Sequence, residues 1–127
     1  MPLQDSTPYV GPVLVPTDGA TTDFPVVIPF GGRGYIINRV LVTDALGGSS
    51  GSALLGLFTL AGGLGTTIIT AAALTTHTGP TLVSSRTIIA AAAQTTALTV
   101  PTLFLRITTA SGVAGTSVKV QIDFTAL

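Results

Sequence analysis

Cysteine, tryptophan and glutamate are absent from this chain of 127 residues, and charge of either sign is scarce. Without cysteine there is no disulfide, no thiolate metal ligand and no thiol nucleophile. The charged residues are Arg33, Arg39, Arg86, Arg106 and Lys119 against Asp5, Asp18, Asp23, Asp44 and Asp123. They make up 8% of the chain, where an ordinary soluble domain carries about 25%. So sparse and balanced a set leaves no basic footprint for nucleic acid and no polybasic patch for a membrane surface. It also lacks the net charge that keeps a free monomer dispersed.

Threonine fills the gap, with 22 in the chain. A surface of threonine, serine, glycine and alanine is wettable yet loses little on desolvation, because no ion has to leave water. That composition suits a chain that spends its working life inside an assembly. The length fits one domain with a single core. The first residues, Met1-Pro2-Leu3-Gln4-Asp5, have neither a basic region nor an apolar run, which argues against a secretory signal.

No charge lies between Asp44 and Arg86, and the window Ala53–Leu74 is long enough to span a membrane. A Gly62-Gly63-Leu64-Gly65 break sits at its centre, and its second half is rich in threonine and β-branched residues. Two strands and a turn therefore fit the window better than a helix, and no membrane partner is expected.

Apolar runs separated by turn chemistry recur along the chain. Tyr9–Val15 is broken by Pro12, which makes it an edge strand or an extended arm. Phe24–Phe30 carries Pro25 and Pro29 and is again of edge type. Tyr35–Thr43 is a strong strand, rich in β-branched residues. Ala53–Leu60 and Thr66–Ala72 flank a short glycine loop suited to a hairpin. Thr81–Ile89 and Thr95–Val100 follow. Leu103, Leu105 and Ile107 alternate with polar or larger neighbours. Val118, Val120, Ile122 and Phe124 alternate strictly with Lys119, Gln121 and Asp123, which predicts one face for a core and one for solvent or a partner. The pattern predicts an all-β fold, an antiparallel β-sandwich of about eight strands, jelly-roll-like, occupying residues 23–127.

Residues 1–22 read differently. Pro2, Pro8, Pro12 and Pro16 punctuate an unperiodic stretch, which predicts an extended, proline-containing N-terminal arm. Its apolar anchors are Tyr9, Val10, Val13, Leu14 and Val15, and these are the candidate protein-interface residues.

Chemistry is harder to find. His77 is the sole histidine, in the loop Thr75–Gly79, far in sequence from Asp44 and Asp123, and a metal site needs several ligands. None of the eight serines stands in a nucleophile elbow. Asp18 and Asp23 could be imagined as a hydrolytic carboxylate pair, but they flank a Gly-Ala-Thr-Thr turn where aspartate ordinarily accepts hydrogen bonds from backbone amides. The glycine loops at 47–52 and 62–67 carry no P-loop lysine and open no helix. Tyr35 with Arg33 and Arg39 is too small a cluster for an RNA-binding sheet. No catalytic residue, cofactor or metal is expected, and the chain reads as a non-enzyme.

The order of Tyr35–Thr43, a Gly/Ser loop, Ala53–Thr59, a glycine break, Thr66–Ala73, and Leu103–Gly112 before an alternating closing strand resembles small virion structural proteins of tailed bacteriophages. The likeness is to the capsid-decoration or head-associated type. It covers roughly Tyr35 to Phe124. It implies a sandwich that binds the outer face of a shell, commonly as a trimer, with the major capsid protein or another virion protein as partner. The implied location is the virion, assembled in the cytoplasm of a bacterial host. A tail, neck or fibre-base component fits the same resemblance, and a secreted carbohydrate-binding module is a more distant alternative.

Overall fold

In a computed structural model, the chain is described at residues 8–29, 33–74, 86–90 and 97–127. Eight strands run through these residues: β1 (Tyr9–Pro16), β2 (Thr22–Val27), β3 (Tyr35–Leu46), β4 (Leu54–Leu60), β5 (Leu64–Ala73), β6 (Arg86–Ala90), β7 (Thr102–Thr109) and β8 (Ser117–Ala126). They form two four-stranded antiparallel sheets, in the orders β1-β8-β3-β6 and β2-β7-β4-β5. The fold is an all-β sandwich.

The two sheets pack through the alternate residues that period 2 selects. Val118, Val120, Ile122 and Phe124 of β8 are buried, as are Leu103, Leu105 and Ile107 of β7. They meet Val40 and Val42 of β3 and Leu55 and Leu57 of β4 in one continuous core. Each such side chain contributes roughly 1.5–3 kcal/mol by leaving water. Tyr35 is fully buried, packs edge-on to Phe124 with ring centroids 6.1 Å apart, and donates its hydroxyl to the Val100 carbonyl at 2.7 Å.

The window Ala53–Leu74 is two strands and a turn. β4 and β5 are joined through a 3-10 turn over Ala61–Gly63, and no helix of the described residues is long and apolar enough to cross a membrane. The run Thr95–Val100 differs from expectation. Its described part, from residue 97, holds one isolated bridge, Leu98 to Tyr35, and no strand. Pro101 follows directly, and a residue without an N–H cannot extend a ladder. Of the run Thr81–Ile89, the part from Arg86 onward is β6, and the remainder lies outside the described residues.

Tyr9–Val15 takes the edge-strand alternative. β1 pairs with β8 through Val10↔Ile122, Val13↔Val120 and Val15↔Val118. Residues 9–16 are thus part of the sandwich rather than an arm added to it. The register is irregular between Val10 and Val13, where Gly11-Pro12 intervenes, and that interruption hides the alternation from a reading of sequence. Proline is tolerated because an edge strand leaves one side of its backbone unpaired.

Candidate interaction surfaces

The five expected interface residues divide by the pleat of β1. Val15 is completely buried in the core, and Val10 and Val13 are partly buried against it. Tyr9 and Leu14 point to the other side and are 58% and 55% exposed. Only these two present apolar surface outward, opposite Asp123 and Lys119 of β8.

Around Asp123 the outer face of the β1-β8-β3-β6 sheet carries a polar network. Arg39 lies directly across from Asp123 in the ladder, and its Nε donates to Asp123 Oδ2 at 2.6 Å. Gln121 Nε2 donates to Asp123 Oδ1 at 2.9 Å. Asp123 faces outward as its register predicts, yet these neighbours cover it to 5% exposure. Asn38 and Thr125 exchange hydrogen bonds beside the pair.

The outer face of the other sheet carries Phe104 and Phe58, directly paired across β7 and β4, with Pro25 next to Phe104 on β2. Its ion pair is Asp23 with Arg106, again directly opposed in register. Arg106 Nη1 donates to both carboxylate oxygens at 2.9 Å, and the Gly62 amide donates to Asp23 Oδ2 at 3.0 Å. The hairpin turn is therefore bent back over the sheet. Gly63 comes against the Arg106 stem and the Phe58 ring, which explains why an outward-facing phenylalanine is only 8% exposed. Gly56 makes this possible, because a Cβ there would stand 2.7 Å from the Phe58 ring.

At one end of the sandwich the loops after β1, β3 and β7 are sewn together by hydroxyls. Ser50, Thr17, Thr116 and Ser111 form a buried chain with oxygen separations of 2.8, 2.8 and 2.7 Å, which ends on the Val113 carbonyl. Thr17 donates to Thr116, so Ser50 donates to Thr17, and each hydroxyl has one proton to give. Asp18 Oδ2 accepts the Gly115 amide at 2.9 Å beside this chain. The packing is close enough that a Cβ on Gly47 would collide with the Gly115 carbonyl. Sequence reading missed this cluster, since its members are four of many scattered hydroxyls.

Asp18 and Asp23 both accept backbone amides, as the turn chemistry predicts, and serve opposite loops instead of forming a pair. The Tyr35 ring lies in the core, and burial pushes its phenol up to about 12. Among the described residues no three His, Cys, Asp or Glu side chains come together as a metal site. His77 and its loop lie outside the described residues. Compared with protein-family models, curated proteins and solved structures, the chain matches none.

Proposed function

We propose that the chain is a non-enzymatic virion structural protein, a bacteriophage capsid-decoration protein that binds the outer surface of the shell and stabilises it. The observation that carries this reading is how the few charges are used. Asp18, Asp23 and Asp123 all accept hydrogen bonds from the chain itself, and two of them neutralise Arg106 and Arg39. What remains outward is largely threonine and apolar: Tyr9, Leu14, Val27, Leu60 and Leu64 are all more than half exposed. Such a surface docks through shape and burial rather than through ions.

The topology supports the finer fold assignment, a jelly roll. The pairs β1·β8, β2·β7, β3·β6 and β4·β5 are those of one long hairpin folded between β4 and β5 and rolled into two sheets. Jelly rolls of eight strands are used in viral capsid and lectin domains. The mechanism is mass action: a ligand that binds only the assembled shell stabilises that shell, and several copies joined in a homo-oligomer, the trimer that the phage resemblance implies, multiply a modest affinity.

Cross-linking within the native particle, followed by identification of the linked chains, tests the reading. Links to the major capsid protein are the expected result. Links to tail or neck proteins move the position within the virion. Particles without the chain, or retention of the chain on a polysaccharide matrix, overturn the proposal.

A further inference from the structure

Among the described residues β8 is the only strand partner of β1. β1 lies in one sheet and β2 in the other, so residues 17–21 carry the chain across the end of the sandwich. That crossing is strained. Thr21 has a φ of 58°, and among the described residues it is the one non-glycine with a positive φ. Thr21 and Thr22 both face Ile107: the Thr21 amide donates to the Ile107 carbonyl at 2.7 Å, and Thr22 is the ladder partner of Ile107. The first residue of such a two-against-one bulge is ordinarily a glycine, and a β-branched residue there crowds its own backbone.

The tethers of the crossing divide at Gly19. Thr17 and Asp18 are bound to the loops after β3 and β7, through Ser50, Ser111, Gly115 and Thr116. Thr21 is bound to β7. Between them, a Cβ on Gly19 would meet only the Thr22 hydroxyl, at 3.5 Å, and Asp18, Ala20 and Thr21 are exposed. Straightening the chain at 19–21 therefore relieves Thr21 and carries β1, with Thr17 and Asp18, away from its own sandwich as one piece. Pro12 and Pro16 keep that piece extended.

We propose that β1 is an exchangeable strand, and that in the working oligomer its place beside β8 is filled by β1 of a second copy. The contacts themselves fix the occupant. Val10, Val13 and Val15 already fit opposite Ile122, Val120 and Val118, and an identical strand from another copy reproduces each of those pairings. Exchange therefore keeps the burial and the ladder bonds of β1 and releases the strain at Thr21. Short hinges under strain favour this outcome. Proximity favours closure within one chain, so exchange grows with local concentration, which copies seated side by side on a shell supply. A strand passed from each copy to the next also closes a ring of three, the number that the phage resemblance implies.

Exchange rests on the proposed reading that the chain works as a homo-oligomer, and a disulfide separates the two. The chain has no cysteine, and Leu14 stands directly opposite Lys119 across β1 and β8, so L14C/K119C places one reporter disulfide on that pair. The oxidised oligomer is expected to run as covalent multimers in denaturing gels without reductant, and as single chains once reduced. An oligomer that falls to single chains without reduction, each with its disulfide closed internally, overturns the exchange while sparing self-association. A monomer at every concentration overturns both. Thr21→Gly relieves the hinge without touching β1 or β8, and is expected to weaken the oligomer by about tenfold in sedimentation. Should the double variant fail to fold or to oxidise, Thr21→Gly alone decides: an oligomer as tight as that of the wild type overturns the proposal.

Discussion

Arg39 with Asp123 and Asp23 with Arg106 are the same chemical pair in the same setting, directly opposed residues of an antiparallel ladder, one pair on the outer face of each sheet. Their surroundings part them. Asp123 is covered, but the Arg39 side chain is 45% exposed, and the pair ties β3 to β8, strands that the core already holds together. In the other sheet both partners are mostly covered, at 16% and 22%, and beyond the two bonds from Arg106 Nη1 the carboxylate accepts a third, from the Gly62 amide of the turn. That third bond carries the β4–β5 turn onto Phe58. One pair braces what is already joined, and the other shapes a loop. The difference shows that a charge pair acquires its purpose from what else its carboxylate can reach.

If both pairs trim a fold that the core holds, truncating the core must cost more than breaking either. Phe124→Ala is expected to destabilise the chain by about 3–5 kcal/mol, measured by urea unfolding. A smaller loss than for either ion pair would reverse the ranking.

Alkaline titration probes the core independently of both pairs. The unfolded Tyr35 phenol ionises near its ordinary value of 10, and the folded one near about 12, because burial disfavours the phenolate. The native state therefore holds its proton longer. This contribution is complete below pH 10 and is lost as pH rises from 10 to 12, for a total of about 3 kcal/mol. Tyr35→Phe should flatten stability across that window. An unchanged slope would show that the alkaline loss arises elsewhere.

Asp23→Ala leaves a largely covered guanidinium and the Gly62 amide without their acceptor, at an expected cost of about 2 kcal/mol. It should also release the turn, which would appear as faster hydrogen exchange at Ala61–Gly63. Arg39→Ala is expected to cost less than about 1 kcal/mol, and less still in salt, because its guanidinium is half in water. Equal losses for the two variants would erase the contrast.

Much of the fold was legible from spacing. The alternation in 117–124 and 103–107 marked the buried faces of β8 and β7, and the glycine break at 62–65 marked the hairpin. The first strand was ambiguous, because Gly11-Pro12 puts its two halves out of phase. The clustered hydroxyls of Thr17, Ser50, Ser111 and Thr116 had no local signature at all, since residues 99 positions apart carry no mark of meeting. Of the expected interface residues, Tyr9 and Leu14 could be told from Val15 only after the register of β1 on β8 was known.

By itself the sequence determined an all-β chain with two sharply defined strand faces, because period-2 burial and turn residues act over a few positions and need no distant partner. Which strands pair, and what Asp23 and Asp123 hold, were decided by tertiary structure alone. Those properties depend on contacts between segments far apart in the chain, and a local pattern cannot encode a distance that only folding brings into being.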